Sequence, residues 1–235
     1  SSVDLEKFYA LDHALYVSNE QRVNSRLSLS YGIRLSIFQQ VGDSDIIVYE
    51  DPRDNININR IDTLSYKPFE TIKTYVNPEP RISLVYLLND LSSVKASYNR
   101  MVQNTHLIAS GTVPLPFNTW DPSGYYLEPQ LADQWALGYF RIMRSNMFEM
   151  SAEVYYKYMN NVTDFADNAN VFFNYDLPVE FRQGESWSYG LELFTEKKEG
   201  DLRGFVSYTL SKTERRVPEV NLGMAFPANY DRRHV

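Results

Sequence analysis

Between Arg26 and Ile37 every second residue is apolar. Leu27, Leu29, Tyr31, Ile33, Leu35 and Ile37 alternate with Arg26, Ser28, Ser30, Gly32, Arg34 and Ser36. A period of two marks a β-strand with one apolar and one wet face. A dozen residues without a break is long for a soluble strand and comfortable for a tilted span of a bilayer. The stretch from Glu185 to Thr213 shows the pattern twice. Trp187, Tyr189, Leu191 and Leu193 oppose Ser186, Ser188, Gly190 and Glu192. After a charged turn from Glu196 to Asp201, Leu202, Val206, Tyr208 and Leu210 oppose Arg203, Phe205, Ser207, Thr209 and Ser211. Gly200 in that turn can take the positive φ that a tight hairpin needs.

The same alternation recurs along the chain. Ile82, Leu84, Tyr86 and Leu88 share a face, and after the short turn NDLSS so do Val94, Ala96 and Tyr98. Trp135, Leu137 and Tyr139 precede a short turn and then Phe148, Met150, Ala152, Val154, Tyr156 and Tyr158. Opposite that last row stand Glu149, Ser151, Glu153, Tyr155 and Lys157, a solvated wall. Residues 8–17 alternate loosely, with Tyr9, Leu11, His13, Leu15 and Val17 on one face and Phe8, Ala10, Asp12, Ala14 and Tyr16 on the other. Four long polar stretches lie between: about Val41 to Pro80 (with room for a small hairpin), Gln103 to Gln130, Asn160 to Gly184, and Glu214 to Asn229. The Pro and Gly content of the second argues against any regular element there. YDRRHV begins a further strand.

Connections therefore run short, long, short, long throughout. Sandwiches and propellers do not sort their loops this way, whereas outer-membrane barrels join strands by brief turns at one end and extended loops at the other. Serine, glycine, arginine and glutamate would also fill a sandwich core poorly. The pattern predicts an all-β, antiparallel, up-and-down transmembrane β-barrel wall of about eight or nine strands. Leu29, Tyr31, Ile33, Leu191, Leu193, Tyr208 and Leu210 should face lipid, and Ser28, Ser30, Arg34, Ser188 and Glu192 the other side. The turns near Glu20, Asp90, Ser145 and Lys198 should share one end. The strands near Tyr9 and Arg232 should have no outer partner in the chain.

Composition narrows the classes. The 235 residues include 18 Tyr, 13 Phe and 3 Trp, rings suited to strands and to membrane–water interfaces. No run of about 18 apolar residues exists, so no helical span is predicted. A net charge of −7, with no basic stripe, argues against nucleic acid. There is no cysteine, hence neither a disulfide framework nor a Cys-based zinc site.

The segments PEPRISLVYLLNDLSSVKASYNRMVQNTHLIAS, LEPQLADQWALGYFR, SAEVYYKYMNNVTDF, SYTLSKTERR and FPANYDRRHV together resemble the barrel of TonB-dependent outer-membrane receptors, nearest to those of Bacteroidetes type. The resemblance runs from about Leu5 to the end and rests on the ordered set rather than on one motif. It implies a protein of the bacterial cell outer membrane, with a barrel of about 22 strands that takes up siderophores, cobalamin, glycans or peptides. It also implies TonB as a partner, acting through an N-terminal plug domain, and the outer-membrane lipid around the wall. Against that pattern, residues 1–235 read as a single domain, an internal part of the barrel, with the plug and the C-terminal strands absent.

The search for chemistry returns little. His13, His106 and His234 share no ligand spacing, and no nucleophile elbow or glycine-rich phosphate loop is present. No enzyme, cofactor or resident metal is expected. The acidic stretch from Asp43 to Asp62 is oxygen-rich enough for calcium but reads more simply as a solvated loop. Loop aromatics carry the candidate ligand site: Trp120, Tyr125 and Tyr126 with Asp121 (and Phe117 nearby), and Phe172 and Phe173 beside Tyr175. Bulky rings on loops pack either on one another, as a lid, or on a small-molecule or oligosaccharide cargo. Two other readings stay open: a passive porin-like outer-membrane channel, and a soluble secreted β protein that binds glycans.

Overall fold

The structure is a computed structural model that describes residues 8–54, 56–108, 119–143, 147–167, 169 and 177–235. Its strands are β1 (Tyr9–Arg22), β2 (Leu27–Val41), β3 (Ser44–Tyr49), β4 (Arg60–Tyr66), β5 (Thr71–Asn89), β6 (Ser92–Gln103), β7 (Thr105–Ile108), β8 (Thr119–Pro122), β9 (Gln130–Met143), β10 (Phe148–Phe165), β11 (Phe181–Lys197), β12 (Gly204–Arg216) and β13 (Phe226–Pro227). Nine of them form one sheet in the order β1-β2-β5-β6-β9-β10-β11-β12-β13, and every pairing is antiparallel. The remaining four make two small hairpins, β3-β4 and β7-β8, inside the long connections. Among the described residues there is no α-helix; two short 3-10 turns flank β11 and β13.

Register turns the single-strand patterns into bands. Leu29, Leu84, Ala96, Leu137, Val154, Leu191 and Leu210 stand in one continuous row across seven strands. Among the described residues no second layer covers this face: Leu137 is 51% exposed, and Tyr31, Ile33, Leu193, Tyr208 and Leu210 are exposed too. The opposite face runs Ser30, Ser83, Ser97, Ala136, Tyr155, Gly190 and Ser211 across the same strands. Gly190 is required there, because a Cβ would lie 2.9 Å from the Tyr155 ring and 2.8 Å from the Leu210 carbonyl oxygen. On β1, register with β2 assigns Leu11, Leu15 and Val17 to the apolar face.

The buried residues lie mostly at the long-loop end of the polar face. There Ala132, Met159, Val162 and Val217 form a small core, with Met101, Val220 and Phe226 against it. Leu127 and Phe165 form another with Phe181. Polar side chains are buried beside them, among them Ser36, Gln40, Glu79 and Ser186. Among the described residues the molecule is thus inside out relative to a sandwich: loops cover the polar face at its long-loop end, and the apolar face is bare.

Antiparallel alternation puts the β1-β2, β5-β6, β9-β10 and β11-β12 connections at one end of the sheet, as expected. Ser145 itself lies outside the described residues. Gly200 has φ +101°, which the last of these turns uses. Among the described residues, β1 at one border of the sheet pairs with β2 alone, β13 and the bridge from His234 to Leu210 lie along β12 at the other, and the two borders do not pair with each other.

Several boundaries differ from the sequence expectation. Glu20 is not in a turn: β1 runs through it, opposite Ser30, and the turn is Val23 to Arg26. The Asn24 side chain fixes that turn by accepting from the amides of Arg26 (2.8 Å) and Leu27 (2.9 Å). Leu202 falls in the β11-β12 turn rather than on the strand. β5 starts at Thr71, nine residues before Pro80, in what reads as loop. Pro78 and Pro80 fit because β5 pairs there with β2 only; its ladder to β6 stops at Arg81. A proline lacks the donor such a ladder needs and is tolerated on an unpaired edge. β10 continues to Phe165 past a bulge at Asn161, whose φ is 58°. The second long connection is not devoid of regular elements either, since β7 and β8 pair within it. Pro122 closes the last rung of β8 and so does not interrupt it.

Candidate ligand-facing surface

Two levels of the apolar face define where the sheet meets its surroundings. Beside the leucine row, towards the long loops, stands an aromatic one: Tyr31, Tyr98, Trp135, Tyr156 and Tyr189, with Ile82 among them. Tyr98, Trp135 and Tyr156 touch in sequence, with ring centroids 5.4 and 6.0 Å apart. One rung further the face turns ionic. Arg100 makes two hydrogen bonds to Asp133 (2.8 and 2.9 Å), which also accepts from Tyr98 Oη at 2.6 Å. Glu185 joins Tyr158 to Arg216, and Lys212 pairs with Glu214. Towards the short turns the apolar run ends at Arg141, eight residues along β9 from Asp133. At about 3.4 Å per residue that is ~27 Å of strand, or about 21 Å of height at a tilt of 40°. A bare apolar band of this height, edged by rings and then by charges, is what a lipid bilayer requires of a barrel wall.

The long-loop end is folded, and it gathers part of the candidate aromatic site. Trp120 and Asp121 lie on β8; Tyr125 and Tyr126 follow it before β9. Trp120 is 60% exposed and Tyr125 39%, whereas Tyr126 is half-buried. The Tyr126 hydroxyl donates to the Ile47 carbonyl (2.8 Å) and accepts from the Tyr49 amide (3.3 Å), and its ring lies 5.6 Å from that of Tyr49. Tyr125 stacks edge-on against it at 4.9 Å. The backbone beneath is held from the sheet: Tyr75 Oη donates to the Gly124 carbonyl (2.7 Å), and the Tyr125 amide donates to Gln40 Oε1 (3.1 Å). Tyr126 is therefore a clamp between loops, and Trp120 and Tyr125 are the rings it leaves accessible. Phe172 and Phe173, with Phe117 and Tyr175, lie outside the described residues.

Two polar knots escaped the sequence reading because their parts are far apart in the chain. Arg182, nearly fully buried, donates to the carbonyls of Val179 (2.7 Å), Phe181 (3.0 Å) and Arg53, and pairs with Glu219. It ties the root of β11 to the tip of the β3-β4 hairpin and to the stretch after β12. His106 on β7 is 4% exposed, with Nε2 3.0 Å from Ser123 Oγ and Asp121 opposite it in register. Burial pushes its pKa down to about 4. In the acidic hairpin, Asp51 and Asp54 accept from backbone amides of Arg53, Ile56 and Asn57, which holds Asp54 below the usual carboxylate range. Among the described residues no three His, Asp or Glu side chains gather as metal ligands.

This is the architecture of an outer-membrane β-barrel wall with a folded mouth. The comparisons with known proteins specify it further: residues 6–233 match the family model described as TonB dependent receptor-like, beta-barrel. The chain belongs to that family, and so to the outer membrane of a bacterium. The search of curated proteins found no match. Among solved structures, the FrpB iron transporter from Neisseria meningitidis superposes with TM-score 0.59 at 13% identity, over 93% of this chain and 28% of that one. The ferripyoverdine receptor of the outer membrane of Pseudomonas aeruginosa, bound to ferripyoverdine, gives 0.58 at 14%, over 96% and 25%. The ferric-catecholate import receptor Fiu from K12 E. coli gives 0.58 at 15%, over 96% and 31%. The chain thus spans a quarter to a third of each of these proteins. At such identities the likeness is one of fold. The resemblance to Bacteroidetes receptors in particular is not among these findings.

Proposed function

We propose that these residues form an internal part of the barrel of a TonB-dependent receptor, one that captures a small-molecule or oligosaccharide cargo at its outer mouth and admits it past a plug. The observation that carries this reading is the folded long-loop end. A wall that only enclosed a passive pore would need no clamped hairpin beside accessible rings. Trp120 and Tyr125 offer π-faces, and Asp121, beside Trp120 in sequence, belongs to the same proposal. Each stacked ring contributes on the order of 1 kcal/mol beyond area burial. Phe172 and Phe173 belong to the same proposal by their place in the neighbouring connection. Ferric chelates are a natural first cargo to try, because the three structural relatives carry iron or ferric compounds by name.

Uptake of labelled ferric chelates and of oligosaccharides by cells expressing the full-length protein, with and without TonB, tests the proposal. Loss of uptake without TonB is the expected result. Undiminished uptake would make the protein a passive channel, and a protein recovered outside the membrane would favour the soluble glycan-binding reading.

A further inference from the structure

Charge is divided unequally between the two ends of the sheet. The four connections at the long-loop end, residues 42–70, 104–129, 166–180 and 217–225, hold thirteen carboxylates and three basic side chains. The rest of the chain holds seventeen and twenty, so the net −7 of the protein belongs to this end alone. Bases that flank it from the sheet are already paired: Arg182 with Glu219, Arg215 with Asp164 and Arg216 with Glu185. Lys73 on β5, over the Tyr75 ring at 5.8 Å, offsets part of the excess.

The fold carries some of these carboxylates to the accessible rings. The Tyr126 hydroxyl holds the Ile47 carbonyl, and Tyr125 lies edge-on against Tyr126. At most about 7 Å of chain separates Asp45 from Ile47. Glu50 adjoins Tyr49, whose ring is 5.6 Å from that of Tyr126. Gln40 Oε1 accepts from the Tyr125 amide, and Asp43 follows Gln40 by at most about 11 Å of chain. Asp43 and Asp45 are exposed and, among the described residues, make no hydrogen bond or ion pair. Such charges reach roughly one Debye length, about 8 Å at physiological salt. Among the described residues they are not gathered as metal ligands, so they act as a field and not as a chelate. A field of this sign raises the local concentration of cations and lowers that of anions. Rings such as Trp120 and Tyr125 add to the preference, because their faces attract ammonium and guanidinium groups.

We propose that this part of the mouth selects cargo by charge, taking up solutes that present an amine or guanidine and turning away those that present a carboxylate. The proposal rests on the reading of Trp120 and Tyr125 as cargo contacts. The test is calorimetric titration of the full-length receptor, purified in detergent, with a matched pair of probes. One is the ferric complex of a linear trihydroxamate that ends in a free amine; the other is its N-succinyl form, in which a carboxylate replaces the ammonium. The amine form should bind about tenfold tighter at about 20 mM salt, and the gap should close at about 0.5 M. Asp43→Asn combined with Asp45→Asn should narrow the gap several-fold at low salt, with folding checked by the heat-dependent mobility of the barrel on gels. Equal affinities, tighter binding of the carboxylate form, binding of neither, or an unchanged gap in the double variant would overturn the proposal. Weakening of both forms alike by Trp120→Ala, with no gap between them, would keep the rings as cargo contacts and overturn the charge preference alone. A gap that survives Trp120→Ala and Tyr125→Ala unchanged would instead overturn the reading of the rings, and the proposal with it.

Discussion

The hydroxyl of Tyr126 donates to the main-chain carbonyl of Ile47, 79 residues earlier, at 2.8 Å. One bond thereby joins the β3-β4 hairpin, which rises between β2 and β5, to the connection that leads into β9. Tyr126→Phe removes it and keeps the ring. The expected cost is about 1 kcal/mol, spent locally: amide exchange and protease cleavage in the β3-β4 hairpin should rise several-fold while barrel melting stays put. Cargo binding should change less than in Trp120→Ala or Tyr125→Ala. The reverse order, with Tyr126 dominant for cargo and silent in exchange, would make it a ligand contact and not a clamp.

Arg182 secures the same hairpin at its other end, through the Arg53 carbonyl. Arg182→Gln should cost more than the tyrosine change, roughly 3 kcal/mol, because it strips a buried hub of its charge and leaves several carbonyls unpaired. Combined with Tyr126→Phe it should free the hairpin altogether, which a spin label on Ile56 would register as fast motion. Retained slow motion in the double variant would show that other contacts hold the hairpin down.

What could be read from the sequence was set by how many environments each strand passes through. Where one face meets lipid and the other water, the period of two survives, and residues such as Leu29, Leu191 and Leu210 declare their side unaided. Beyond the bilayer both faces are wet or packed on loops, so Thr71 to Pro80 and Asn160 to Phe165 lost the pattern although they are strands. Pro78 and Pro80 hid their strand further, since only the unpaired edge makes them permissible. The candidate site was half legible. Rings beside Asp121 and Gly124 could be picked out, but the role of Tyr126 depends on Ile47 and Tyr49, and that of Arg182 on Arg53 and Glu219. No local pattern marks such pairs.

The lipid-facing assignment predicts a contrast between neighbours on one strand. Leu191→Arg puts a charge in the middle of the leucine row and should cost about 2–4 kcal/mol of barrel stability. Glu192→Arg, next to it on the other face of β11, where the side chain is exposed, should cost little. Urea titration of the refolded barrel in phospholipid vesicles checks both. Equal costs at the two positions would contradict the assignment of faces.

The last prediction concerns pH. His106 is buried beside Ser123, and its folded pKa of about 4 lies below its ordinary value of 6.5. As pH falls below 6.5 the unfolded chain takes up a proton that the folded one refuses, so the local fold loses stability from there down to about 4 and levels off below. Above 6.5 the contribution is fully present. Protection of the Leu107 and Trp120 amides, taken relative to the intrinsic exchange rate at each pH, should therefore fall between pH 6.5 and 4, while that of Leu137 and Leu191 in the span should not. His106→Gln keeps a polar group against Ser123 and cannot titrate; it should flatten the profile. A profile as steep in that variant as in the wild type would place the titrating group elsewhere.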